Sequence, residues 1–266
     1  MSDFNLAGRF GVVTGGLGPL GLALTNCLAE AGASVLAVDL PEQIEKLNGE
    51  ALPPRVSVLA CDLLIAEQMN ELVETVDTQS GQLSFLINNA AFTGGSSLTG
   101  YACAFEDQTD EGFDAAMALN LAVPFRLSRR LAPSLRRSGH GAIVNIASIY
   151  GLVGPDLALY EGTGMGNPAG YAASKGGLIQ LTRYLATVLA PDIRVNCISP
   201  GGIFRGQDPR FVDRYKARTP LHRMATEQDI VGSAHLLVSG AAGYVTGQVI
   251  AIDEGVDGLV TTTQAT

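Results

Sequence analysis

Short apolar runs alternate with longer stretches of helical periodicity along this chain, and that alternation restricts the fold more than any other feature. The strand-like runs are 10–13, 34–38, 56–60, 83–87, 142–146, 194–198 and 249–252, and the helical stretches fall near 20–31, 66–79, 110–137, 171–190 and 226–239. Most strand runs are apolar on both faces, as a parallel sheet covered by helices on each side requires. Such strand–helix–strand units close in the right-handed sense, so the expectation is an open, doubly wound α/β fold. The chain has 266 residues, of which 47% are hydrophobic, enough for one large sheet with its helices. No repeat, low-complexity segment or linker marks a second domain, so the expected unit is 1–266. Two stretches break the rhythm, 92–109 and 151–170. Long irregular segments in such folds either sit over the ligand or are tolerated surface excursions.

Charge and composition exclude several functions. The net charge of −9 argues against a nucleic-acid or anionic-membrane surface, since both need clustered Lys and Arg. Arg126, Arg129, Arg130, Arg136 and Arg137 read as a solvated helix face. No apolar run approaches the ~20 residues of a membrane span, and the N-terminal stretch has no secretory-signal pattern. Cys27, Cys61, Cys103 and Cys197 are scattered, and His140, His222 and His235 are isolated. No metal site is expected, and the thiols read as reduced in a cytoplasmic protein.

In an open parallel sheet, ligands bind beyond the carboxyl ends of the strands. The first strand run is followed by TGGLGPLG, residues 14–21, and then by a helical run. Glycines there let the backbone turn tightly and approach a pyrophosphate at the helix N-terminus. Asp39 ends the second strand run about 20 residues on, where a carboxylate accepts from a ribose diol and repels a 2′-phosphate. Its other reading is a cap or loop Asp. Asp62 follows the third run and Asn88-Asn89-Ala90-Ala91 the fourth, where small residues let the chain pass a flat cofactor and the Asn pair can tie strands together. Ser148 follows the fifth. Among the tyrosines, Tyr171 alone is followed four residues later by a lysine, Lys175. In a helix that spacing stacks both side chains on one face.

These motifs, with Asn120 in ALNLA and Pro200-Gly201, occur in the order seen in short-chain dehydrogenase/reductases, and the chain resembles that family from about residue 8 to residue 255. The resemblance implies a single-domain Rossmann-type fold with a seven-stranded parallel sheet, and NAD as cofactor. It implies cofactor contacts at Gly15, Leu17, Gly18, Leu20, Asp39, Leu40, Asp62, Leu63, Asn89, Ala90, Ala91, Tyr171, Lys175, Pro200, Gly201 and Ile203. It also implies a catalytic tetrad of Asn120, Ser148, Tyr171 and Lys175. Phenol titrates near ~10, and bringing it to about 7 takes roughly 4 kcal/mol of preferential phenolate stabilisation. The Lys175 ammonium, aided by the positive ring of an oxidised nicotinamide, is expected to supply this in a partly dry site. Ser148 would orient the substrate oxygen, and Asn120 would hold a water relaying the proton from Lys175.

The chain departs from the family's commonest pattern in four places, one of them Glu254, which stands where Gly is common. Pro19 stands at a usual glycine, a substitution a helix's first turn tolerates. Ser148 and Tyr171 are separated by a longer segment than usual, so 151–170 must loop out beside the substrate. A similar insert occurs in relatives from bacterial sugar and nonulosonic-acid pathways. Asp156, Tyr160, Glu161, Thr163 and Asn167 on it offer polar contacts, while a purely intersubunit role is the competing reading. Arg205 replaces a usual Thr within the lid at 202–220, where it either meets an anionic substrate group or points to solvent. The charges of Arg205, Arg210, Arg214, Lys216 and Arg218 would suit an anionic substrate. The expected function is interconversion of a secondary alcohol and a ketone on a polar small molecule, sugar-like or acidic. The alternative is a sugar epimerase or dehydratase that uses bound NAD without net redox change. A homotetramer is expected from the resemblance.

Overall fold

The computed structural model describes residues 2–47, 49 and 51–255. Seven strands, β1 (Phe10–Thr14), β2 (Ser34–Asp39), β3 (Val56–Ala60), β4 (Phe85–Asn88), β5 (Gly141–Ile146), β6 (Ile193–Pro200) and β7 (Val249–Ile252), form one sheet. Its order is β3-β2-β1-β4-β5-β6-β7, and every pairing is parallel. The chain winds outward from β1 to β3, then crosses back to place β4 on the other side of β1. At this switch point the loops after β1 and β4 diverge and open a crevice.

Successive residues of each strand feed opposite layers. Val12, Leu36 and Val38 face Leu72, Leu127 and Leu189, from α3 (Ala66–Gln79), α5 (Val123–Arg137) and α6 (Ala169–Leu189). Val13 and Val35 face Leu24, Leu28 and Ile230, from α1 (Pro19–Glu30) and α8 (Gln228–Val238). Each such side chain contributes about 1.5–3 kcal/mol by leaving water, which is why the double covering persists along the sheet. Two shorter helices, α2 (Pro41–Glu45) and α7 (Pro209–Arg218), lie outside the helical stretches read from periodicity.

The stretch 110–137 is not the single helix its periodicity suggests. It divides into α4 (Asp110–Met117), a π turn over Ala118–Ala122, and α5. Pro124 has no N–H for the carbonyl four residues earlier, that of Asn120, so the helix cannot continue in α register there. The Val123 N–H instead reaches the Ala118 carbonyl, and the widened turn carries Asn120 into the interior. On α5, Arg136 pairs with Asp192 and Arg137 with Asp77, all four half-exposed, as a solvated face would be. Among the described residues no helix is long and apolar enough to cross a membrane, and no acidic, His or Cys cluster is placed to hold a metal.

Pro19 opens α1 behind an extended Gly18, as the first turn allows. Two residues later the fit becomes exacting: a Cβ on Gly21 would lie 1.8 Å from the Gly15 carbonyl oxygen. Backbone cannot yield as a side chain can, so Gly21→Ala must push α1 off the loop. The substitution is expected to cost at least about 2 kcal/mol in a urea-unfolding comparison.

Candidate active site

The carboxyl ends of the strands surround a cleft of about 1070 Å³. Gly15, Gly18 and Leu20 line it, as do Asp39, Leu40, Asp62 and Leu63. Asn89, Ala90, Ala91, Ser148, Tyr171, Lys175, Pro200, Gly201 and Ile203 complete the expected set on its wall. Leu17 and Asn120 are not on the wall. Both are buried, and each acts on its neighbours through hydrogen bonds.

At one end, Asp39 is fixed by two backbone donors, Leu17 N–H and Leu40 N–H, each at 2.9 Å. Each of its oxygens retains a lone pair for a further donor. The same bonds make Asp39 a brace for the glycine loop. Gly15 is in the left-handed region at φ +59°, and a Cβ there would sit 2.9 Å from Ala90 Cα. Thr14 Oγ1 accepts from Asn89 N–H at 3.0 Å and Ala90 N–H at 3.1 Å, while Asn89 Nδ2 donates to the Thr14 and Gly15 carbonyls at 3.0 Å each. Asn88 Nδ2 donates to Asn145 Oδ1 at 2.7 Å, and Asn145 Nδ2 to Thr182 Oγ1 at 2.9 Å, tying β4 to β5 and α6. The loops after β1 and β4 are thus locked with bare backbone facing the cleft at the N-terminus of α1. This cradle, with a fixed carboxylate beyond it, fits the diphosphate and ribose of an extended dinucleotide.

At the other end, Tyr171 and Lys175 lie one turn apart on α6, with Lys175 Nζ 5.7 Å from the Tyr171 ring centroid. The ammonium is almost fully buried and donates to the Ile146 carbonyl at 2.7 Å. Burial brings its pKa from an ordinary 10.5 down to about 8. Ser148 follows β5 as an extended cap, its Oγ accepting from Tyr150 N–H at 3.2 Å. The Tyr171 phenol is pushed up by burial, against the opposing pull of the Ser148 hydroxyl and the Arg205 charge. Sequence alone suggested that Lys175 would hold the phenol down. In the structure desolvation outweighs the groups that the chain itself provides.

Asn120 has its side chain engaged with protein groups. Its Oδ1 accepts from Phe92 N–H at 2.8 Å, and its Nδ2 donates to the Phe92 carbonyl at 3.0 Å and to Ser174 Oγ at 3.1 Å. The side chain clamps the loop after β4 to α6, both Nδ2 protons and one Oδ1 lone pair being used. Its main-chain carbonyl lacks the usual α-helical donor, because Pro124 four residues on has no N–H.

The two irregular stretches meet over this end. Residues 92–98 and 165–168 line the cleft, and Gln108 Oε1 accepts from Ala169 N–H at 2.9 Å. Of the insert's polar residues, Tyr160 and Asn167 reach the wall, whereas Asp156, Glu161 and Thr163 do not. Tyr150 and Tyr160 share a 2.6 Å hydroxyl contact. The segment after β6 packs onto the insert: Tyr160, Met165, Phe211, Tyr215 and Met224 share one apolar cluster with Leu159. Its cations are largely spent there. Arg214 donates to the Ala158, Leu159 and Glu161 carbonyls, Arg218 pairs with Asp156 at 3.0 Å, and Arg210 pairs with Asp208 at 2.8 Å. Arg205, by contrast, lines the cleft. Tyr150, Phe92, Met165 and Gln207 also line it and carried no signal in the sequence, because each becomes a wall residue only through the folding of a loop.

A parallel sheet with a glycine cradle at its switch point and a tyrosine over a buried lysine across the same cleft defines a dinucleotide-dependent oxidoreductase. The comparisons with known proteins agree. The family model described as enoyl-(acyl carrier protein) reductase matches residues 18–257. A 3-oxoacyl-[acyl-carrier-protein] reductase of Thermotoga maritima is 31% identical over 258 residues, covering 94% of this chain and 98% of its own length. A short-chain dehydrogenase from Leptospira borgpetersenii with bound NAD+ superposes with a TM-score of 0.82 at 32% identity, over 95% of this chain and 94% of that one. A gluconate 5-dehydrogenase from Burkholderia cenocepacia, in complex with NADP and tartrate, gives 0.82 at 26% identity, over 97% and 98%. The chain belongs to the short-chain dehydrogenase/reductase family, whose members use NAD or NADP.

The lysine's environment has a consequence for stability. Its folded pKa of about 8 lies below the ordinary 10.5, so between these values the unfolded chain binds more protons and the residue's cost to folding shrinks as pH rises. Relative to Lys175→Met, the wild-type protein should therefore gain about 2 kcal/mol of unfolding free energy from about pH 7.5 to pH 10, read from urea titrations.

Proposed function

We propose that this protein is an NAD-dependent oxidoreductase that interconverts a secondary alcohol and a ketone on a polar small molecule, sugar-like or acidic. The carrying observation is the shared cleft: Tyr171, Lys175 and Ser148 stand on the same wall as the glycine cradle and Asp39. When bound, the nicotinamide dinucleotide supplies a hydride acceptor or donor, and the chain's own residues manage the proton. Ser148 Oγ holds the reacting oxygen against the Tyr171 hydroxyl. Tyr171 takes the alcohol proton in oxidation and returns it in reduction. Lys175, anchored on the Ile146 carbonyl, keeps a cation beneath the ring, and a water on the Asn120 carbonyl carries the proton outward. Asn120 is thereby a positioning residue through its side chain and a relay residue through its backbone.

The preference for NAD rests on Asp39. Its charge is held still by two N–H donors at the place where a 2′-phosphate would lie, whereas the cation on that wall, Lys46, is exposed and solvated. One domain carries both cofactor and substrate sites in this reading, with 151–170 and 202–220 shaping the latter. The gluconate 5-dehydrogenase with tartrate supports a hydroxylated substrate. A cytoplasmic location and a homotetramer belong to the same reading, the first on four unpaired cysteines and the second on the family resemblance.

Two experiments check it. Tyr171→Phe should lower kcat by about 10²–10⁴-fold while NADH binding, followed by fluorescence, is retained. NADH should bind at least about tenfold more tightly than NADPH, and Asp39→Ala should narrow that ratio. Tighter NADPH binding by the wild type would refute the cofactor assignment.

A further inference from the structure

Within the substrate end of the cleft, one cation is neither buried under the tyrosine nor spent on the insert. Arg205 lies in a tight turn whose shape is set by Gln207, which accepts from Arg205 N–H at 2.7 Å and donates to the Ile203 carbonyl at 2.7 Å. Glu227 accepts from its Nε at 3.2 Å. A pair of this kind is weak as a source of stability, but it turns the Nε edge of the guanidinium toward Glu227 and the outer nitrogens away from it. Among the described residues the two terminal nitrogens have no hydrogen-bond partner, and the residue shares the cleft with Ser148 and Tyr171. Its charge reaches the Tyr171 phenol and favours the ionised form. A guanidinium steadied through Nε, with its outer edge free, presents the fork that carboxylates and phosphates bind.

The insert contributes a second unsatisfied group. Asn167 is on the same cleft, and both ends of its side-chain amide are buried without a full hydrogen bond. It lies against the Tyr160 hydroxyl, which itself contacts Tyr150. A buried amide left this way is destabilising unless a ligand completes it. An amide can both donate to and accept from a hydroxyl group.

We propose that the substrate is a hydroxylated oxyanion, its carboxylate or phosphate gripped by the terminal nitrogens of Arg205 and a hydroxyl received by Asn167 beside Tyr160. This rests on the alcohol–ketone reading and specifies its substrate class. Neither Arg210, Arg214 nor Arg218 shares the anion, because each already holds the lid or the insert in place.

The test is calorimetric titration of NADH-loaded enzyme with two matched pairs: gluconate against gluconamide, and sorbitol 6-phosphate against sorbitol. In at least one pair the anion should bind about tenfold or more tighter than its neutral partner, and the pair that shows it identifies carboxylate or phosphate. Arg205→Ala should reduce that preference to about twofold or less, leaving NADH affinity unchanged. Asn167→Ala should weaken both members of the pair alike. The proposal is overturned if neither anion outbinds its neutral partner or if Arg205→Ala keeps the preference. Loss of NADH affinity in that variant also overturns it, since Arg205 would then serve the cofactor. Unchanged affinities in Asn167→Ala overturn its hydroxyl half. A Tyr171→Phe enzyme with undiminished turnover would refute the alcohol–ketone reading and leave these binding results standing, so the two failures are separable.

Discussion

One lysine nitrogen joins the sheet to the chemistry. Lys175 is sealed beneath the Tyr171 ring and donates to the Ile146 carbonyl at the end of β5, so its charge is fixed by the strand that also delivers Ser148. Burying an ammonium is costly, and the depressed pKa records that cost. The return is a cation that cannot wander from the phenol. Every neighbouring feature serves this placement. Asn145 ties α6 to the sheet through Thr182, and Asn120 ties α6 to the loop after β4.

Much of this was legible in the sequence because it depends on local spacing. Strands buried on both faces announce themselves as apolar runs, and the 14–21 loop and the Tyr171/Lys175 pair are read within a single turn or helix. The order of strand-end motifs then placed them around one crevice. What escaped depends on contacts between distant segments. The π turn at Ala118–Ala122 hides inside an unbroken helical pattern, and only the missing N–H of Pro124 hints at it. The arginines of 210–218 looked like substrate ligands by charge alone, yet Arg214 holds carbonyls of the insert and Arg218 an aspartate of it, both distant in sequence, while Arg210 pairs with its near neighbour Asp208. Helix α7 carries few apolar residues, and its burial of Phe211, Val212 and Tyr215 depends on the insert against which it packs.

The insert and the segment after β6 emerge as one unit. Each covers the other's apolar face, and the arginines stitch their backbones together. That mutual support explains how an irregular segment can hold Tyr160 and Asn167 at a cleft wall. It also explains why Arg205, which lies before the helix and outside the stitching, keeps its outer nitrogens clear.

The balance at Tyr171 decides whether the phenol can exchange a proton. The chain's own groups leave the phenol above its ordinary value, so in the proposed mechanism Tyr171 would serve as a base only with a further positive charge nearby, such as an oxidised nicotinamide would supply. Difference titration of phenolate absorbance, wild type minus Tyr171→Phe, measures this directly when run with and without saturating NAD+. NAD+ is expected to lower the Tyr171 pKa by about two or more. Superimposable titrations under the two conditions would contradict it.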